Sequence, residues 1–199
     1  MKKKFLLNTS LCLILFLAAC GDEKAPENTI QDGKTEAQEI EVEAATLGLS
    51  DQLAVDLPEI TENTLNLRLR SREYIDQQEK LFAGVGIKEK VDSTITPQQL
   101  TDNVEDYFET VVSFKGDVVS FHEKEEGALP YRFIHLYAED GQSYLYITYE
   151  PLGNIALDDS LQVVGIPLGI HEFANVGGGV TKAIVLFGGA IEKQTPNEG

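Results

Sequence analysis

Tyr131-Arg132-Phe133-Ile134-His135-Leu136-Tyr137-Ala138, Glu139-Asp140-Gly141-Gln142, Ser143-Tyr144-Leu145-Tyr146-Ile147-Thr148-Tyr149: two runs rich in rings and branched side chains flank an Asp-Gly pair. Alternating runs about such a pair are a strong β-hairpin signal. Because strand side chains alternate between faces, Ile134, Leu136, Leu145 and Ile147 suit an interior. The opposite face then carries Tyr131, Phe133, His135 and Tyr137, with Tyr144 and Tyr146 beside them. Six ring-bearing side chains on one face are unusual for a surface washed by water. They are the candidate ligand-binding set. The competing reading makes them a second core beneath an amphipathic helix from residues 64–109, where Leu65, Leu69, Tyr74, Leu81 and Phe82 need something to cover.

On both sides of the hairpin the period-two pattern continues. Val111 to Phe121 reads as a long strand with Gly116 in its middle, where a bulge or sharp coil is expected. Leu161 to Ile166 follows an Asp158-Asp159 turn and ends at Pro167, and Ala183 to Glu192 is a last strand containing Gly188-Gly189. Pro167 to Lys182 reads as a long mobile loop. The fold class is therefore mainly β: a five-stranded antiparallel barrel over residues 110–194.

Five strands of these lengths, a glycine-bent first strand and a hairpin of the second and third resemble the oligonucleotide/oligosaccharide-binding (OB) barrel. Ile155-Ala156-Leu157-Asp158-Asp159-Ser160-Leu161-Gln162-Val163-Val164-Gly165 is similar to the run into strand four of many such domains. Asp159 stands in the acidic position, and Asp158 stands where a glycine is usual. The pattern resembles small bacterial OB-fold lipoproteins akin to tRNA-anticodon-binding-like domains. That resemblance implies a binding barrel whose hairpin face stacks bases or sugars.

Residues 61–109 read as a helical segment packing on the barrel. Good helix formers run from Leu67 to Ala83 and stop at Gly84 and Gly86, predicting about four turns. Thr96-Pro97-Gln98-Gln99 has the form of a helix start, with Pro at the first position. Arg68, Arg70 and Arg72 form a local basic cluster. They suit either an anionic ligand or neutralisation of acidic neighbours, and the second is the commoner use.

The N-terminus reads as an address. Met1-Lys2-Lys3-Lys4 is basic, Phe5 to Leu17 is mostly apolar, and Leu17-Ala18-Ala19-Cys20 closes the run with small residues before a cysteine. This pattern is a secretory signal too short for a comfortable membrane span. It resembles the lipobox of bacterial lipoproteins, which implies cleavage after residue 19 and acylation of Cys20. A lipid-anchored protein at the cell membrane, facing the periplasm or the exterior, is the expectation. Residues 20–60 then read as an acidic flexible tether: residues 21–60 hold eleven Asp or Glu, two Lys and no aromatic residue. Such a segment buries too little apolar area to offset its ordering entropy.

Charge narrows the function. The 199 residues carry 16 Lys+Arg against 33 Asp+Glu, a net of −17. Removing residues 1–19 takes three lysines, leaving 13 against 33, or −20. Residues 111–199 alone hold five Lys or Arg and twelve Asp or Glu, a net of −7. A polyphosphate is repelled by such a surface, which argues against nucleic acid and against a nuclease.

Catalytic motifs are scarce. His122, His135 and His171 lack H-x-H or H-E-x-x-H spacing, so no metal site is expected. Asn175 to Val180 is glycine-rich without being a nucleotide-binding loop, and no G-x-S-x-G elbow occurs. Asp158-Asp159 and Glu125-Glu126 suit solvated turns. The expectation is a non-enzymatic module without cofactor, anchored to the membrane by its N-terminal lipid and binding a protein or envelope component. Glycan or small-ligand binding on the aromatic hairpin face is the alternative. A nucleic-acid-binding or metal-dependent enzyme domain ranks behind both.

Overall fold

A computed structural model of the chain describes residues 47–125 and 129–194. The lipobox, Cys20 and the start of the acidic stretch lie outside the described residues. Four helices come first: α1 (Leu49–Ile60), α2 (Leu69–Gln77), α3 (Glu79–Phe82) and α4 (Pro97–Asn103), with short 3₁₀ turns at Lys88–Lys90 and Val104–Tyr107. Five strands follow: β1 (Val112–Lys124), β2 (Tyr131–Tyr137), β3 (Ser143–Thr148), β4 (Ser160–Ala174) and β5 (Val180–Lys193). They close into a barrel in the order β1-β2-β3-β5-β4. All neighbours are antiparallel except β3 and β5, which run parallel. The result is an OB-like, closed five-stranded barrel.

The hairpin turn decides which face each ring occupies. The Gly141 N–H donates to Ala138 O at 2.9 Å, the Ala138 N–H donates to Gln142 O at 2.9 Å, and Gly141 has φ +88°. The connection is thus a three-residue loop, Glu139–Gly141, with its last residue left-handed. The four-residue reading of Glu139 to Gln142 was one too many, and a slip of one residue turns a strand over. Tyr144 lies opposite Leu136 and Tyr146 opposite Ile134, so both tyrosines face the barrel interior. Leu145 and Ile147 lie opposite His135 and Phe133, on the outside.

The interior also receives Leu100 of α4 and Leu152 of the β3–β4 connection. Thr96 caps α4 through a reciprocal capping box with Gln99, and Pro97 begins the helix as its sequence predicts. Outside the barrel, a second core joins Leu145, Ile147, Ile166, Val185 and Phe187 to the helices. Phe82 of α3 stacks on Phe187 at 5.0 Å.

Two boundaries differ from the sequence reading. The expected tether to residue 60 ends earlier, because Leu49–Ile60 is α1, with Leu53 and Leu57 fully buried against the outer core. Each such burial contributes ~1.5–3 kcal/mol, and spacing of four residues puts both on one face. The Gln52 amide donates to Asp56, and the Tyr149 hydroxyl donates to Asp56 Oδ2 at 2.7 Å, so the buried polar side of α1 is also tied to the barrel. The expected four-turn helix from Leu67 is instead α2 and α3, separated at Gln78, whose φ of −124° is not helical.

The expected mobile loop from Pro167 to Lys182 is mostly strand. β4 runs through Pro167 to Ala174 and returns as β5 through a short turn after Ala174. Proline is tolerated because β1 leaves β4 after the Val112–Gly165 pair, giving Pro167 a free edge, and because the register with β5 shifts between Pro167 and Gly169. The bulge expected at Gly116 lies two to four residues further on, between Val118 and Ser120. Gly116 instead permits a close approach: a Cβ there would stand 3.1 Å from Leu136 Cβ and the Tyr137 carbonyl.

Candidate functional site

The six ring-bearing residues of the hairpin do not form one exposed platform. Tyr144 and Tyr146 are interior, with Tyr144 stacked on Phe114 at 4.8 Å. The Tyr146 hydroxyl lies 3.2 Å from Val164 O and 3.1 Å from Ala190 O, and accepts from the Ala190 N–H at 3.1 Å. It satisfies backbone groups beside a β4–β5 register break, a structural task. Burial raises both phenols far above their ordinary value, so they remain protonated hydroxyls. Tyr131 is also buried, with the Lys124 ammonium 5.2 Å from its ring centre. Tyr137 is exposed at the far end of β2. Phe133 and His135 remain half-buried on the outer face.

Around those two residues lies a groove of about 320 Å³. Its walls bring together Phe133 and His135 of β2, His171 and Phe173 of β4, Ser120 of β1, and Glu62 just after α1. The pairing explains this convergence. His135 faces Ser120 on one side and Leu145 on the other, while the extended β4 carries His171 and Phe173 two residues apart on one face. The Phe173 ring stacks on His171 at 5.3 Å and meets His135 edge-on at 5.5 Å. His122 lies over Phe133 at 5.4 Å.

Glu62 reaches the groove through a turn that ends α1. Glu62 and Asn63 have φ +51° and +63°, and the Asn63 N–H donates to Pro58 O at 2.7 Å. Buried Thr61 holds the turn by donating to Leu57 O and accepting from the Leu65 N–H. Two successive non-glycine left-handed residues cost energy, and here their neighbours fix them. Sequence reasoning missed Glu62, His171 and Phe173 as partners of His135. The extension of β4 past proline brings the last two to the groove, and pattern alone gave no sign of it.

Both groove imidazoles favour the neutral form. Burial lowers His135, and burial lowers His171 against the opposing pull of the Glu62 carboxylate. His135 Nε2 lies 3.2 Å from Ser143 Oγ, and His171 Nδ1 lies 2.7 Å from Thr64 Oγ1. A hydroxyl beside an imidazole is the beginning of a nucleophilic pair, but Ser143 is buried at the start of β3. No carboxylate hydrogen bond orients either imidazole among the described residues, so the third member of a triad is missing there. No group of three His, Cys, Asp or Glu is arranged to hold a metal among the described residues.

A stability prediction follows from the lowered histidines. Their ordinary value is 6.5, and the folded state resists protonation. The unfolded chain therefore takes up protons first as pH falls below about 6.5, and stability drops there. Thermal unfolding followed by circular dichroism should show a falling midpoint from neutral pH toward pH ~5.5. His171→Gln should flatten that slope, and an unchanged slope in the variant would count against a neutral buried His171.

The arginines of the helical segment are each matched to an acid. Arg68 lies 3.5 Å from Glu105, Arg70 lies 2.8 Å from Glu109, and Arg72 pairs with Asp51. All are substantially exposed, so these pairs add little stability, yet they neutralise one another's charge.

Comparison with protein-family models and with curated proteins gave no match. Among solved structures, the chain is similar to a mitochondrial single-stranded DNA-binding protein of S. cerevisiae, at 14% identity and TM-score 0.31. That match covers 45% of this chain and 97% of the yeast protein. A small single-stranded DNA-binding protein from Streptomyces coelicolor matches at 14% identity and TM-score 0.31, over 42% of this chain and 93% of that one.

Proposed function

We propose that this protein is a lipid-anchored, non-enzymatic binding module of the cell envelope. Cys20 carries the acyl chains, and the acidic residues after it hold the OB barrel away from an anionic membrane. The barrel faces the periplasm or cell exterior and takes a protein or another envelope component, not nucleic acid.

One observation carries the reading of the partner. Much of the barrel's outer face is packed under its own helices, and the groove left beside them is lined by rings, neutral imidazoles and a single carboxylate. That lining contains no lysine or arginine, so no fixed positive charge in it attracts phosphate.

Acylation tests the anchor. Cells expressing the wild type and Cys20→Ser are grown with an alkyne fatty acid, and the protein is labelled and fractionated. The expected result is a lipidated membrane form for the wild type and an unlabelled, uncleaved precursor for the variant, because the thiol is the acylated atom. Equal label on both would end the lipoprotein reading.

A further inference from the structure

We propose that the cleft beside the C-terminal end of β5 binds a short apolar peptide through its two free termini. The cleft shares no residue with the groove at the β4–β5 hairpin, and it owes nothing to the lipid anchor. Three segments wall it: the turn after α3 at Ala83 and Gly84, the β3–β4 connection, and β5 from Gly189 to Lys193. Its volume is about 550 Å³, inside the ~300–1,000 Å³ typical of small-molecule sites.

Two glycines fix that shape. A Cβ on Gly84 would stand 2.9 Å from Gly189 O, and one on Gly189 would stand 2.6 Å from Gly84 N, so two walls meet backbone to backbone. Contact this close leaves little room for adjustment, and a preformed cleft loses less freedom on binding. The floor is apolar. Leu152 and Ala190 are buried, while Ile155 and Ile191 are half-buried against the barrel's interior core.

The charged groups decide what an apolar ligand must carry. The Lys88 ammonium pairs with Glu192, and Lys193 Nζ lies 2.7 Å from Asp159 Oδ2, so both are held at the cleft. An ammonium has three donors, and each of these pairs with one carboxylate among the described residues. The spare donors suit a ligand carboxylate. The Glu150 carboxylate lines the same cleft and makes no ion pair or hydrogen bond among the described residues. It suits a ligand amine. A peptide with free ends uses all three groups, and the Asn154 side chain adds an amide for its peptide bond. A phosphate fits worse, because Glu150, Glu192 and Asp159 outnumber the two lysines.

Saturation-transfer NMR on the full chain in detergent, with detergent alone as the blank, gives the measurement. Leucyl-leucine, its N-acetyl form, its C-terminal amide and free leucine are compared at millimolar concentration. Transfer to the methyl protons of leucyl-leucine is expected. Each capped form should bind about two- to fivefold more weakly, the range of one exposed ion pair. Free leucine should bind about tenfold more weakly, having lost one apolar side chain. Glu150→Gln should bring leucyl-leucine down to the level of its N-acetyl form without moving that form. Lys88→Gln combined with Lys193→Gln should do the same with respect to the amide, and Glu150→Gln reads even if that double variant fails to fold. Glu62→Gln, at the separate groove, should change nothing. No transfer to leucyl-leucine, capped forms or leucine that bind as tightly as it does, or a loss caused by Glu62→Gln and not by Glu150→Gln would each overturn the site.

Discussion

Gly188→Ala is expected to leave the chain unfolded. A Cβ on Gly188 would stand 1.9 Å from Val164 O and 2.7 Å from Gly165 Cα, both backbone atoms that no side-chain rotation can move aside. The crowding arises where β4 pairs with β5. Val164 pairs with Ala190 and Ile166 with Phe187, so Gly165 alone opposes both Gly188 and Gly189. Such a two-against-one bulge bends and twists the strand, which a small closed barrel requires.

The neighbouring glycines serve the same joint. A Cβ on Gly189 would stand 2.4 Å from Phe82 O, where α3 docks, and one on Gly165 would stand 2.4 Å from Phe187 O. Separating these backbones breaks both the barrel seam and the docking of α3. A loss of more than ~4 kcal/mol is expected, a large part of the stability of an ordinary domain. Gly153→Ala is the matched control. It has φ +63° and nothing within 4 Å of the new Cβ, so only backbone strain of ~1–2 kcal/mol applies. Circular dichroism with denaturant titration decides between the two outcomes. A Gly188→Ala protein with a near-native midpoint would mean that β4 and β5 do not pair in this register.

The barrel was legible because strand alternation and the Asp140-Gly141 turn are local signals. Each of the five expected strand runs falls on a strand, although β4 continues past Pro167 to Ala174, and the Thr96-Gln99 capping box marks α4. What escaped was set by single-residue counts or by tertiary contact. Including Gln142 in the turn put Tyr144 and Tyr146 on a ligand face, whereas Ala138 and Gln142 pair across the turn and the tyrosines fill the core. Pro167 is a reasonable strand end until β1 is known to have left that edge. Leu53 and Leu57 were hidden in an acidic, ring-free stretch. Their helix is stabilised by the face it covers more than by its own propensity, a contribution the sequence window does not contain. Part of the candidate site was visible for the same reason: Phe133 and His135 belong to the hairpin, while Glu62, His171 and Phe173 arrive through long-range folding.

Nucleic acid is the ligand that the chemistry of the groove and of the helical segment disfavours most. Stacking on exposed rings contributes ~1–3 kcal/mol per base in single-strand binders, but Tyr131, Tyr144 and Tyr146 are buried and unavailable. The electrostatic part is unfavourable as well, since the groove lining lacks a cation and Arg68, Arg70 and Arg72 are each paired to an acid. Fluorescence anisotropy of the full chain with labelled oligothymidylate, repeated across a range of salt, measures this directly. No saturable binding is expected at physiological salt, with any dissociation constant weaker than about 10⁻⁴ M, the weak end of non-specific association. Micromolar binding that weakens steeply with added salt, and disappears when Arg68, Arg70 and Arg72 become alanine, would contradict it.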